Sequence, residues 1–149
     1  MLHAESDISI DRPVDDVFEI MTDVDRVPLW MTAVVESRQT PAGRIGVGTH
    51  YEHTVRFLGK RFTTRVRTTE CVPPRRLVFV TLDRRFELEA TVTLEPRGSA
   101  TRVHEVLRGD AKGFFKVAEP VLLRAVKRHL DGSLADLKDL VESQVAARA

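Results

Sequence analysis

The residues best able to handle protons are His53, Glu105 and His129, each at a position where strand alternation or helical periodicity turns it inward. Tyr51, two positions before His53, shares that face. A carboxyl taken out of water resists ionisation unless a cation pairs with it. Glu105 beside a histidine would therefore make an acid/base couple or an anchor for a ligand hydroxyl. Each residue alone reads equally well as a core group satisfied by a neighbour or by water. Their convergence on one interior favours a working pocket. His129 is the sharpest candidate, because it falls near the centre of the last helix's apolar stripe, between Ala125 and Ser133. Packing alone would place Leu or Ala there, since an imidazole brings polar atoms that need partners. It is expected to project into the pocket and bond a ligand oxygen.

Other chemistry-bearing patterns reduce to structure. His50 and His53 are three apart in a strand, so they point to opposite faces and cannot share a metal ion. Cys71 is the only cysteine, which excludes an internal disulfide and fits a reducing compartment. Gly43-Arg44-Ile45-Gly46-Val47-Gly48 lacks dinucleotide-loop spacing and leads into a strand, so it reads as a hairpin loop. No serine sits in a nucleophile elbow. Arg61, Arg65 and Arg67 form a basic stripe with no aromatic interleaved, the pattern of a solvated face rather than a nucleic-acid surface. No metal and no cofactor is called for.

The elements that position these residues are legible from periodicity. Ser6 to Asp11 alternates as a first strand with Ile8 and Ile10 inward. Pro13 suits a first helical position, and Val14, Val17, Phe18 and Met21 share one face of a short helix. A second short helix spans Val24 to Met31, Ala33 to Arg38 is a strand, and Thr40-Pro41-Ala42-Gly43 is a turn. From Thr49 to Gly109 strands follow without interruption. A two-residue turn at Gly59-Lys60 would pair Phe57 with Phe62, Val55 with Thr64, His53 with Val66 and Tyr51 with Thr68. It would set Glu52 opposite Arg67 and Thr54 opposite Arg65. A turn at Asp83-Arg84 would pair Thr81 with Phe86, Phe79 with Leu88 and Leu77 with Ala90. Across Pro96 to Ser99, Val92 would meet Val103 and Ala90 would meet Glu105. A long helix from about Phe114, with Pro120 kinking it or marking its true start, places Phe115, Leu122, Val126, His129, Leu130 and Leu137 on one face. Lys116, Arg124, Lys127, Asp131, Lys138 and Glu142 fall opposite.

The chain of 149 residues, 42% hydrophobic and 30% charged, is expected to form one domain over 1–149. Its net charge of +1 gives no global attraction to nucleic acid or anionic lipid. The first residues lack a signal peptide's basic and apolar regions, and no apolar run is long enough to span a bilayer, so a cytoplasmic location is expected. Arginine outnumbers lysine and asparagine is absent, a composition typical of a GC-rich bacterial genome.

The stretch Ile8-Ser9-Ile10-Asp11-Arg12-Pro13-Val14-Asp15-Asp16-Val17-Phe18 resembles the opening of the SRPBCC superfamily. So do Trp30, Gly46-Val47-Gly48-Thr49, Pro73-Pro74-Arg75-Arg76-Leu77 and Leu134-Ala135-Asp136-Leu137-Lys138-Asp139-Leu140, nearest the polyketide cyclase/dehydrase-like branch. The resemblance implies an α+β helix-grip fold: a curved seven-stranded antiparallel sheet around a long C-terminal helix, with two short helices between strands 1 and 2. Such a sheet encloses a cavity, here walled by Trp30, Tyr51, His53, Val55, Phe57 and Thr64 on one side. Val66, Phe79, Phe86, Leu88 and Glu105 would continue the wall, and Leu122, Ala125 and His129 would close it from the helix. The expected ligand is a small hydrophobic, partly oxygenated molecule of polyketide, isoprenoid or lipid type. A polyketide cyclase or dehydratase using His53, Glu105 or His129 is the alternative, and a protein-interaction module a third. A monomer or homodimer is expected.

Overall fold

A computed structural model describes residues 2–40, 45–110, 113–115 and 117–148. Its elements run β1 (Leu2–Ile10), α1 (Val14–Met21), a 3-10 turn (Val24–Arg26), α2 (Val27–Trp30), β2 (Val34–Thr40) and β3 (His50–Phe57). Then follow β4 (Lys60–Val72), β5 (Arg76–Thr81), β6 (Glu87–Arg97), β7 (Ala100–Asp110) and α3 (Glu119–Arg148). The seven strands form one antiparallel sheet in the order β1-β7-β6-β5-β4-β3-β2, the helix-grip arrangement. Register shifts at Val34/Glu36 and at Thr68/Glu70 insert an extra residue into β2 and β4. Such bulges bend a strand and help the sheet curl.

The helices form where the sequence supplies starts. Pro13 is the N-cap of α1 at ψ 154° rather than its first helical residue, with Asp15 and Asp16 in the first turn against the dipole. Pro28 sits in the first turn of α2, where its missing N–H costs nothing. Pro120 is the second residue of α3, so it marks the true start, and Phe115 and Ala118 precede the helix. Lys116, and the expected turn at Thr40–Gly43 from residue 41 on, lie outside the described residues.

All three hairpins close one residue away from the expected turn, which shifts each pairing by two. Leu58 and Gly59 take φ of 49° and 77° as the central pair of a primed turn. Phe57 therefore pairs with Lys60, Val55 with Phe62, His53 with Thr64 and Tyr51 with Val66, while Glu52 faces Arg65 and Thr54 faces Thr63. In the next hairpin Asp83 accepts from the Arg85 backbone N–H at 2.9 Å and bridges to Phe86, moving the turn to Arg84 and Arg85. Leu77 thus meets Val92, and Phe79 meets Ala90. Arg97 pairs with Ala100 around Gly98 (φ 63°), so Val92 meets Glu105 and Ala90 meets Leu107. Because the side-chain period is two, a shift of two leaves every residue on its expected face.

The concave face holds two cores. One packs Ile10, Val17, Ile20, Trp30, Leu134 and Leu137 beneath α1 and α2, all nearly or fully buried. The other, at the far end, is aromatic and aliphatic: Phe57 and Phe86 with Leu122, Val126 and Leu130, joined by Phe62, Phe114 and Phe115. β1 is fastened to α3 by Ser6 Oγ donating to Asp131 at 2.5 Å and by Lys138 Nζ donating to the Ser9 carbonyl at 3.1 Å.

Two positions carry backbone constraints that substitution should expose. A Cβ on Gly109 would lie 2.0 Å from the Glu87 carbonyl oxygen and 2.9 Å from Leu88 Cα. Backbone cannot yield that far, so Gly109→Ala is expected to lower stability in urea unfolding by about 2 kcal/mol or more. Leu58 occupies left-handed space that disfavours a bulky side chain and suits Asn. Leu58→Asn is expected to raise stability by about 1 kcal/mol in the same measurement.

Candidate ligand cavity

Between the aromatic end and the middle of α3 lies a cavity of about 200 Å³. Its floor is the inward row of β3 to β7, and its roof is α3. The residues at 122, 126, 129 and 133 recur every three or four positions and so project from one helix face towards the sheet. Phe57, Phe62, Phe86 and Phe115 close one end. Phe62 meets Phe114 edge-on at 5.1 Å between ring centroids, and Phe57 meets Phe115 at 5.0 Å. Lys60, which shares their inward row, reaches past them to donate to the Phe114 carbonyl at 2.7 Å and holds its ammonium 4.4 Å over the Phe114 ring.

Of the expected wall, Trp30, His53, Val55, Phe57, Thr64 and Val66 line the cavity, as do Phe79, Phe86, Leu88, Glu105, Leu122 and His129. Tyr51 and Ala125 do not. Tyr51 is buried behind the wall, its ring 5.1 Å from that of His53 and 6.5 Å from Phe79, with its hydroxyl 3.4 Å from Thr68 Oγ1. Ala125 is rotated about 60° from Leu122 around the helix axis, and its methyl is too short to reach back. Sequence reading missed half of the lining residues, Leu2, Ala33, Ala90 and Leu107 among them. Alternation held the signal for two of them, since Leu107 follows Glu105 by two and Leu2 continues the inward row of Ala4 and Ser6.

The polar content of this apolar cavity is small and in part unsatisfied. Trp30 Nε1, His53 Nε2 and Thr64 Oγ1 are buried without a hydrogen-bond partner. The Asp83 carboxylate comes near enough to Thr64 to feel its hydroxyl, but not in hydrogen-bonding geometry. Glu105 is 4% exposed, and neither a hydrogen bond nor an ion pair to it occurs among the described residues. Desolvation alone pushes its carboxyl up to about 7 and the His53 imidazole down to about 4. Both are therefore held towards their neutral forms. His129 differs: its Nδ1 lies 2.5 Å from Thr32 Oγ1, its ring packs 5.1 Å from Phe57, and it is only half-buried. It sits at the rim, tying α3 to the α2–β2 connection, where Ser133 Oγ also accepts from the Thr32 N–H at 3.1 Å. Burial, then the neighbouring Arg128, lowers its pKa. Among the described residues no group of three His, Cys, Asp or Glu could hold a metal ion, and no helix is long and apolar enough to cross a membrane.

A curled antiparallel sheet gripping one long helix around a hollow defines the class: a helix-grip cavity protein. The chain belongs to the family described as polyketide cyclase / dehydrase and lipid transport, whose model matches residues 1–142. Its fold is similar to TTHA0849 from Thermus thermophilus, at TM-score 0.80 and 17% identity over 95% of this chain and 98% of that one. A START superfamily protein from Mycobacterium smegmatis is similar at TM-score 0.79 and 14% identity, over 95% and 98% of the two chains. The di-domain ARO/CYC BexL of the BE-7585A biosynthetic pathway is similar at TM-score 0.72 and 24% identity, over 95% of this chain and 47% of that one. No curated protein sequence matches the chain.

The two shifted groups leave opposite marks on stability. Glu105, raised from 4.5 to about 7, contributes stability that is whole below pH 4.5 and is lost as pH rises through 7. His53, lowered from 6.5 to about 4, contributes stability that is whole above pH 6.5 and is lost as pH falls through 4. Between about pH 5 and 6 the two slopes cancel. In urea unfolding across that window, Glu105→Gln is expected to make stability climb with pH relative to wild type, by up to about 1.4 kcal/mol per unit. His53→Phe is expected to make it fall. Unchanged slopes in both variants would mean that neither group titrates as its burial requires.

Proposed function

We propose that this protein binds one small hydrophobic, partly oxygenated molecule in the cavity between the sheet and α3. One observation carries the reading: an apolar hollow retains Trp30 Nε1 and His53 Nε2 with no protein partner. A buried polar group left unpaired costs about 1 to 3 kcal/mol, so packing for stability alone would have removed or paired these. A ligand supplying oxygens would satisfy them. Membership of a family named for cyclases, dehydrases and lipid transport supports a small apolar cargo. A pure interaction module would have no need of such groups inside. We take the bound molecule to be met in a reducing, cytoplasmic setting, which suits the free thiol of Cys71.

The second reading is a cyclase or dehydratase, and Glu105 favours it. A carboxyl poised near neutrality inside a water-poor cavity can both give and take a proton at working pH. Turnover of a ketone-bearing substrate that is lost in Glu105→Gln, with binding retained, would establish it.

Native mass spectrometry of the purified protein is expected to show one small apolar molecule per chain. Ala90 is on the cavity floor and fully buried. The longer side chain of Ala90→Leu should displace that molecule while leaving the melting temperature within a few degrees. Retention of the molecule by Ala90→Leu would place binding elsewhere.

A further inference from the structure

We propose, resting on that reading, that the cavity rejects anions and selects a flat ligand of one or two rings carrying an oxygen at each end, one end met by His53 and Thr64 and the other by Glu105.

Size comes first. An enclosed cavity of about 150 Å³ holds a single benzene ring. At about 200 Å³ this one has room for two fused rings. Shape follows from the walls. Phe79 and Ala90 are paired neighbours on β5 and β6 and make a level floor. Leu122, Val126 and Leu130 lie across it from the helix. A slab between an aromatic floor and aliphatic side chains fits a planar skeleton.

The placement of polar groups supplies the rest. His53 and Thr64 are directly paired across β3 and β4, so their side chains stand together. Glu105 is on β7, separated from β4 by β5 and β6. Far apart along the sheet, the two sets face the same hollow only because the sheet curls. Two strands stand between Thr64 and Glu105 along the sheet, so a separate ligand atom is assigned to each set. A molecule with its oxygens on one edge would satisfy one set and strand the other, at the cost of an unpaired buried group.

Negative charge is excluded by what is missing from the wall. No lysine or arginine lines the cavity. An anion entering would lose its hydration with no cation to replace it, beside a carboxyl that burial already keeps towards its neutral form. Hydroxyl and carbonyl oxygens carry no such cost. Glu105 as the acid can donate to a carbonyl or accept from a hydroxyl, and His53 Nε2 can do either according to its tautomer.

Calorimetric titration at neutral pH with four probes separates the elements of this proposal. Naphthalene reports the apolar slab, naphthalene-2,6-diol adds oxygens at opposite ends, naphthalene-2,3-diol adds them on one edge, and 6-hydroxy-2-naphthoate adds a charge. The 2,6-diol is expected to bind about tenfold tighter than naphthalene and about fivefold tighter than its 2,3 isomer, the differences that one or two net hydrogen bonds make. The naphthoate should bind at least about tenfold more weakly than the 2,6-diol. His53→Phe and Glu105→Leu should each lower the ratio of 2,6-diol to naphthalene affinity about fivefold, a ratio that general damage to the cavity would not move. Equal affinities for the two diols, or an unchanged ratio in both variants, would overturn the two-ended site while leaving a ligand cavity standing. Failure of all four probes, naphthalene included, would overturn the ligand-binding reading and this proposal with it.

Discussion

A seven-stranded sheet is far wider than the single helix laid across it. Strands about 4.8 Å apart make a surface of roughly 30 Å, whereas a helix with its side chains covers about 10 to 12 Å. Everything else in this molecule is an answer to that mismatch. At one end α1, α2 and the aliphatic residues around Leu134 and Leu137 fill the shortfall completely. At the other end the sheet curls, phenylalanines bridge the gap, and the span left over is the cavity. The hollow is thus the remainder of a packing problem.

That origin explains its electrostatics. Any polar side chain on the inward row of β3, β4 or β7 at that level is turned away from solvent towards the hollow. His53, Thr64 and Glu105 stand at such positions, and only desolvation acts on the two that titrate. On the convex face β1 and β7 carry Glu5, Asp7, Arg102 and His104, which pair with one another at 2.7 to 3.1 Å and remain in water. Alternation puts neighbouring residues into two different dielectric settings.

Face assignments were legible in the sequence because period-two alternation is a strong and local signal. Registers were not, because each turn was decided by a detail that alternation does not carry. Leu58 in left-handed space runs against its own preference, so Gly59-Lys60 is the pair that residue types favour, and the turn observed sets that preference aside. Asp83 reads as a turn residue and instead caps the turn from its edge. Since all three errors were multiples of two, the list of cavity residues survived them. The two misplacements, Tyr51 and Ala125, share a cause of another kind: facing inward is not the same as reaching the hollow. His129 was found at the right place on the helix, but its bond to Thr32 depends on a connection that no periodicity describes.

The junction of β1 with β7 and α3 has a consequence for how the protein is made. Leu2 pairs with Gly109, and Ser6 bonds Asp131 across 125 positions of sequence. Contacts of that span form only after long loops have closed, which slows folding. During synthesis the first strand must wait, exposed, until the seventh strand and the last helix have left the ribosome. The hairpins between β3 and β7 can assemble meanwhile as a sheet with a bare concave face, the state most open to aggregation. The last helix follows every strand in the chain, so the hollow can close only once that helix arrives to roof it.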